Sequence, residues 1–355
     1  MQDIYDIAVI GAGPAGATFA RLIPARYQTI LIDKKQESGG FQKLCGGLLS
    51  PAAQKALSCF DLALPTRLLV DPQIFAVRTL DVKSGISRHY QRFYINLDRH
   101  RFDRWLFSMI PASVRKEEGR CVCIEQQDGL FHITYRQDGQ DRHCAARYLI
   151  GADGADSLVR RTFFPQHQPR MRIAIQQSFL EMHQNPFYSC VFDEQSSDCC
   201  SWSISKNNRF IFGGIFPFQD CRARFELQKQ KLAAFGFRFG TPLDTQACTV
   251  VYPRGKKDFF LGQDRILLLG EAAGLVSASS FEGISSAILS GKLAAESFVA
   301  SHGDVFARYR RLMRPLIRTL TRKVCKSRIL YTPWLRRLIM KSGILAIRQE
   351  KPEKD

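Results

Sequence analysis

The stretch IYDIAVIGAGPAGATFARL (4–22), with TILID (29–33) after it, decides the fold. Residues 4–10 are short, apolar and β-branched and run straight into glycine, which reads as a buried strand. Residues 14–26 read as a helix and 29–33 as a second buried strand. Strand, glycine turn, helix and strand make a βαβ unit. Gly11, Ala12, Gly13, Pro14, Ala15 and Gly16 form its turn. Gly11 makes the tight bend, Gly13 lets the backbone approach a pyrophosphate, and Gly16 lets the helix pack close to the strand. The helix N-terminus then faces phosphate charge. Asp33 ends the second strand 22 residues after Gly11, where a carboxylate accepts hydrogen bonds from an adenosine ribose. An Asp there rather than an Arg argues against a 2′-phosphate, and Lys34 beside it is a further candidate cofactor-binding residue.

Two later segments repeat the arrangement. Gly151-Ala152-Asp153-Gly154 follows the strand RYLI, and Gly270-Glu271-Ala272-Ala273-Gly274 follows RILLL. Each sets an acid at the carboxyl end of a strand and ahead of a helix, where open α/β sheets bind ligands. The first turn alone suits NAD or FAD. Three such points spread over the chain suit a long extended ligand, FAD.

Outward from these motifs, a helix is expected from Pro51 with Ser50 as its cap. Strand-like patterning covers 66–96, and 98–110 reads as an amphipathic helix. Short strands fill 112–150, 170–216 and 246–253, with a helix at 225–237 and a long one at 281–300. The remainder is basic and helical, broken at Pro315 and Pro333. The chain has 355 residues, enough for two domains, and 45% hydrophobic against 24% charged residues excludes bulk disorder. No apolar run is long enough for a spanning helix, and no basic region precedes an apolar core at the N-terminus. The 11 cysteines include no CxxC pair. They are expected to be reduced thiols in the cytoplasm, with Cys121, Cys123, Cys199 and Cys200 at strand positions and no metal site. The histidines show no ligand or His/carboxylate spacing.

The charge is +18, and 13 Lys/Arg with no acid lie between Val305 and Gln349. The rest holds 38 Lys/Arg against 33 Asp/Glu, a surplus of five. Arg310, Arg314, Arg318 and Arg322 recur on one side of a helix drawn from Tyr309. Leu312, Leu316, Leu320 and Val324 recur on the other. Such a helix either docks on an anionic membrane surface or packs its apolar side on the protein with a solvated basic side. A second unit, Trp334 to Lys341, has interfacial character. Nucleic acid is not the expected partner, because the basic residues are interleaved with large aliphatics.

The chain resembles the geranylgeranyl reductase family of flavoproteins, within the wider group built like p-hydroxybenzoate hydroxylase, and is most similar to its CbrA-like branch. The residues that carry this are GAGPAG (11–16), KLCGGLL (43–49), LDRHRFDRWL (97–106), GADGADSLVRR (151–161), PFYSC (186–190), SWSISK (201–206) and GEAAGLVSASSFEGIS (270–285). The resemblance implies an α/β fold. Its FAD domain is doubly wound, like that of glutathione reductase, and a β-rich substrate domain is inserted, with a helical C-terminus behind. FAD-domain pieces are expected at 1–70, 98–169 and 258–302, substrate-domain pieces at 71–97 and 170–257, and the basic helical region at 303–355.

It also implies roles. Pro14 and Ala15 lie on the pyrophosphate, Arg99 reaches the ribityl–pyrophosphate region, and Asp153 braces the flavin. Glu271 stands where the family has an Asp that binds the ribityl chain. Gly283 and Ile284 start the helix whose amides face the flavin. Cys45 and Gly46 lie at the flavin's substrate face, with Cys45 as a candidate proton donor or a simple lining residue. Tyr188, Trp202 and Phe210 line an apolar pocket or belong to the core. The implied activity is hydride transfer to C=C bonds of an isoprenoid or polyprenyl lipid. The electron donor is NAD(P)H or another reductant. The alternatives are an aromatic monooxygenase and a non-catalytic, flavin-bound, membrane-associated factor. The expected placement, from the N-terminus and the basic tail, is cytoplasmic, with peripheral attachment on the inner face of the membrane if the tail docks there.

Overall fold

A computed structural model describes residues 3–34, 44–60, 63–183, 188–300 and 303–347. Most of the polar loop ahead of Cys45, Pro186 and Phe187 of PFYSC, and the chain beyond 347 lie outside the described residues. The strands are β1 (Ile4–Ile10), β2 (Thr29–Asp33), β3 (Leu48–Leu49), β4 (Ile74–Asp81), β5 (Ile86–Asn96), β6 (Val114–Glu118), β7 (Arg120–Gln127) and β8 (Leu130–Gln137). Then come β9 (Gln140–Gly151), β10 (Met171–Leu180), β11 (Tyr188–Phe192), β12 (Ser201–Lys206), β13 (Arg209–Phe216), β14 (Asp244–Val251), β15 (Gly262–Gln263) and β16 (Ile266–Leu268). The α-helices are α1 (Pro14–Leu22), α2 (Pro51–Ser58), α3 (Arg99–Ser108), α4 (Leu158–Phe163), α5 (Cys221–Ala233), α6 (Ile284–Ser297), α7 (Val305–Leu312), α8 (Arg314–Leu330) and α9 (Pro333–Ser342).

The first sheet runs β15-β16-β9-β1-β2-β6, and β7 and β8 extend it from β9. The stretch β16-β9-β1-β2-β6 is parallel. All five residues of β2 are buried, as a parallel strand covered on both faces requires. The register explains why the three motifs meet. Ile10 pairs with Ile32 on one side and Gly151 on the other, and Gly151 pairs with Leu268. The strands therefore end level, and the turns after β1, β9 and β16 sit side by side at their carboxyl ends.

Helix α1 stops at Leu22, short of the expected residue 26. Ile23 is extended (φ −63°, ψ 134°) because the ring of Pro24 excludes the α region for the residue before it. The fold needs α1 pressed against the sheet. A Cβ on Gly16 would lie 1.9 Å from the Gly11 carbonyl oxygen, so only glycine fits. Ser50 caps α2, its hydroxyl accepting from the Ala53 N–H at 3.3 Å. Asp98 caps α3 in the same way at Arg101.

The second sheet runs β14-β10-β13-β12-β11-β4-β5-β3, antiparallel except where β4 meets β11. Its outer face carries α5 over an aromatic cluster that includes Phe179, Phe210, Phe212, Phe225 and Phe237. The architecture is the α/β one expected, with a doubly wound sheet, a β-rich second sheet and a helical C-terminus. Cys199 and Cys200 are a correction. They lie in the turn before β12, not in a strand, because the Asp193 carboxylate gathers the Gln195 N–H and the Ser196 hydroxyl into a tight reversal.

The basic tail is part of the body. The helix expected from Tyr309 is divided at Met313 into α7 and α8, with Pro315 in the first turn of α8. Tyr309, Met313, Leu320 and Val324 are buried in the main core, with Leu316 and Ile317 packed on it. The Tyr309 hydroxyl donates to the Leu268 carbonyl at 3.0 Å. Leu316, Leu320 and Val324 of the aliphatic stripe are thus occupied inward, while Arg310, Arg314, Arg318 and Arg322 are exposed. No helix among the described residues is long and apolar enough to cross a membrane.

Candidate functional site

A cleft of about 1320 Å³ runs along the carboxyl ends of the first sheet and over the second. Gly11, Gly13, Pro14, Ala15, Asp33, Lys34, Cys45, Gly46, Arg99, Asp153, Gly270, Glu271, Gly283 and Ile284 line it. Ala12 and Gly16 do not. Ala12 is buried, and Gly16 is spent on helix–strand contact. Tyr188 and Trp202 face the cleft, whereas Phe210 belongs to the aromatic core beneath α5.

The cradle at β1 is shaped for a close-lying ligand. Gly11 sits at φ +97°, and a Cβ on it would meet the Ala152 carbonyl oxygen at 2.5 Å. The first and second motifs therefore touch through their backbones. No acid stands in the first turn of α1, so its N-terminal amides face the cleft without a protein counter-charge from that turn. Asp153 is buried. Its Oδ2 accepts from the Val159 N–H at 3.2 Å, and its Oδ1 has no partner among the described residues. Burial raises its pKa, against hydrogen bonds from Ser157 and the α4 amides. An orphaned buried carboxylate oxygen in the wall asks for a donor from the cleft.

Arg160 was not singled out from the sequence, although GADGADSLVRR contains it. Buried, it donates to the Ala272 and Ala155 carbonyls, both at 2.6 Å. It stitches the second motif to the third. Glu271 reaches the other way, its Oε1 accepting from the Val251 N–H at 3.1 Å. The extra methylene thus lets the third motif clasp the end of β14. At the start of α6, Glu282 accepts from the Ser285 N–H and hydroxyl, both at 2.8 Å. One amide of that helix end is taken by an acid, which sequence reasoning missed.

Cys45 sits where both sheets meet. The Gly47 N–H donates to its sulfur at 3.4 Å. Arg99 is nine-tenths buried and donates to Asp103 at 2.9 Å. Burial pulls the Arg99 pKa down, but the Asp103 carboxylate and the hydrogen-bonded Cys45 sulfur outweigh it and hold it above the ordinary value. A side chain on Gly46 would strike Ile204 Cδ1 at 2.7 Å. The Cys-Gly pair is thus wedged against the second sheet.

Lys206, also missed, holds that wedge from below. Its Nζ donates to Asn96 Oδ1 at 2.7 Å, the Leu97 carbonyl at 2.6 Å and the Gly47 carbonyl at 3.4 Å. Burial lowers its pKa to about 8. His183 makes a carboxylate pair that the spacing did not suggest, at 2.7 Å from Glu181. Its other ring nitrogen accepts from the Arg238 N–H, and neither residue lines the cleft. No cluster of metal-ligating side chains occurs among the described residues.

The far end of the cleft is walled by the tail. Lys323, Lys326, Ile329 and Leu330 of α8 and Arg336, Ile339 and Met340 of α9 line it. The Tyr331 hydroxyl donates to the Ser279 carbonyl at 3.1 Å, and Lys323 pairs with Glu282 at 3.9 Å.

Comparison with known proteins fits this geometry. The chain is 47% identical over 350 residues to Protein CbrA of Escherichia coli O6:H1, covering 98% of this chain and 96% of that protein. It matches Protein CbrA of Shigella sonnei at the same identity, covering 98% and 99%. The chain belongs to the CbrA family. No protein-family model matches it. Among solved structures, a geranylgeranyl bacteriochlorophyll reductase-like protein from Thermoplasma acidophilum superposes at TM-score 0.79, with 19% identity, covering 95% of this chain and 91% of that one. PqsL from Pseudomonas aeruginosa, a probable FAD-dependent monooxygenase, superposes at 0.71 with 16% identity, covering 96% and 100%. At these identities the two structures share the fold with this CbrA-family chain.

Proposed function

We propose that this chain binds FAD along the cleft and is an oxidoreductase that reduces C=C bonds of an isoprenoid or polyprenyl lipid. The observation that carries it is the continuity of the cleft. It runs from the glycine cradle past Cys45 to an opening lined by Ile329, Ile339, Ile344 and Leu345.

The residues fit an extended dinucleotide. Gly11, Gly13, Pro14, Ala15 and the N-terminus of α1 would hold the pyrophosphate, Asp33 the adenosine ribose, and Asp153 Oδ1 would take a donor from the ligand. Bound there, a flavin supplies two-electron hydride chemistry. Arg99 fixes the Cys45 sulfur from one side and the Gly47 amide from the other. Lys206 pins the backbone beneath them. The Cys45 Sγ–H stands where it can give a proton to a carbon held over the second sheet. Val77, Ala174, Ile204, Ile215 and Trp202 supply an apolar wall that excludes water from that carbon.

The test is anaerobic reduction of the purified yellow protein with dithionite or a nicotinamide donor, then mass spectrometry of lipids incubated with it. The expected product has gained pairs of hydrogens. Insertion of oxygen coupled to NAD(P)H oxidation replaces this reading with the monooxygenase one. Colourless protein that FAD cannot reconstitute ends both, and Gly13→Asp is expected to give that phenotype by placing a carboxylate against the pyrophosphate.

A further inference from the structure

The stripe at Leu312, Leu316 and Leu320 either docks on a membrane or packs on the protein, and Leu316 and Leu320 are packed inward. The exposed apolar surface lies elsewhere. On α9, Trp334 is 66% exposed and Leu338, one turn on, 62%. After α9, Gly343 turns the chain in the left-handed region, and Ile344 and Leu345 follow at 63% and 84% exposure. Ile339, Ile344 and Leu345 are at once part of the lining of the cleft and part of its outer surface. The Ile347 N–H donates to the His89 carbonyl at 2.7 Å, so this lip is tied down on β5.

We infer that the lip formed by α9 and residues 343–347 docks the cleft mouth on an anionic lipid bilayer. Charge selects that occupant. Lys326 and Arg92 are exposed at the mouth, and Lys341 is exposed on α9. The segment from Val305 to Gln349 contributes no acid. Beyond it, Glu350, Glu353 and Asp355 alternate with Lys351 and Lys354 in the sequence. Among the described residues, the acids that face the lip from other elements are paired. Asp81 is held by Arg336 and Arg337, Glu194 by Arg337 and Lys83, and Glu282 lies near Lys323. Large aliphatics and an indole ringed by unopposed cations make an interfacial surface. Six exposed large apolar residues between Trp334 and Ile347 exceed the scattered exposure of an ordinary surface. The purpose of the lip rests on the lipid-reductase reading, since it sets the opening of the cleft at the bilayer. The surface itself is tested without turnover.

The full chain is mixed with vesicles of phosphatidylcholine alone and of phosphatidylcholine with phosphatidylglycerol, each with and without brominated acyl chains. The expected result is sedimentation with the anionic vesicles, weakened by salt, with quenching of tryptophan emission. Trp202 lies inside the cleft and Trp105 packs on the core, so Trp334→Phe should remove the quenching. Replacing Leu338 and Leu345 together by Glu should lower partitioning by about tenfold or more, with the thermal melt unchanged. Binding that survives this replacement places the contact on the basic side of α7 and α8 and overturns the proposal. So does no binding to either vesicle. Self-association lost in the same variant, without vesicle binding, assigns the lip to a second copy and overturns it too. Vesicle binding without lipid reduction would refute the enzymatic reading alone.

Discussion

The guanidinium of Arg336 closes a two-point ion pair on Asp81, with Nε at 2.9 Å and Nη2 at 2.7 Å from Oδ2. Arg337 takes the other oxygen at 3.2 Å, and the Ser84 N–H and hydroxyl complete the set. Arg336 and Asp81 are 255 residues apart in sequence, and both are buried. This pair fastens the wall of the cleft to the end of β4.

Removing the carboxylate leaves a buried guanidinium without its partner. Asp81→Asn should cost about 3–5 kcal/mol. It should also release α9 to proteases before the rest of the chain. Burial raises the Asp81 pKa, but Arg336 and the Ser84 groups outweigh burial and lower it below the ordinary 3.8. The unfolded chain therefore binds the proton first. The stabilisation is complete above about pH 4 and is lost as pH falls through the folded value. Acid should lower the melting temperature of the wild type more steeply than that of Asp81→Asn. Parallel acid profiles would remove the pair from this role.

Gly16 tests the cradle by packing, without adding charge. A Cβ there would overlap the Gly11 carbonyl, so Gly16→Ala must push α1 away from β1. The expected cost is about 1–3 kcal/mol, as for other overpacked sites. FAD content after purification should fall with it, because the α1 N-terminus moves with the helix. Wild-type stability and full flavin content in this variant would show that α1 need not lie so close.

The legible parts of the fold were local. The βαβ unit, the Ser50 cap and the glycine–acid turns were written in contiguous residues, because turn geometry and capping involve neighbours only a few positions apart. The shortening of α1 was legible too, since Pro24 stands in the sequence. Residues fixed by distant partners were hidden. Lys206 looks like an exposed strand-end lysine until Asn96 and Leu97 surround it. Arg336 and Arg337 look alike, yet one is buried and the other 22% exposed, because only the fold brings Asp81 beneath α9. Amphipathic spacing gave the two faces of α8 but not which one met protein.

Lys206 gives a slope of the same sign as Asp81, in a higher pH window. Its folded pKa, about 8, lies below the ordinary 10.5. The unfolded chain holds more protons between these values, so this lysine makes stability rise with pH across that window. The rise amounts to at most about 3 kcal/mol. Denaturant melts at several pH values in the window should show it in wild type. Lys206→Met should flatten it and loosen the Cys45 loop, with turnover falling while flavin stays bound. An equal rise in the variant would assign the effect to other groups.

Cys45 separates chemistry from packing. Its sulfur is held between Arg99 and the Gly47 amide, and it lines the cleft beside Gly46. A positioned proton donor typically contributes a hundredfold or more, about 10²–10⁴. Cys45→Ala removes the donor and a small volume. Cys45→Ser keeps a hydroxyl of similar size that gives up its proton far less readily. If Cys45 protonates the carbon opposite hydride delivery, both variants should retain FAD, and both should lose turnover on the lipid or release a different product pattern. Flavin reduction by the donor should proceed at the wild-type rate, because that half-reaction needs no proton from this thiol. The two half-reactions can be followed separately, by bleaching of the flavin absorbance and by its return on adding lipid. Loss confined to the second half-reaction is the expected outcome. Wild-type rates and products in both variants would reduce Cys45 to a lining residue, and the proton would then have to come from elsewhere in the cleft.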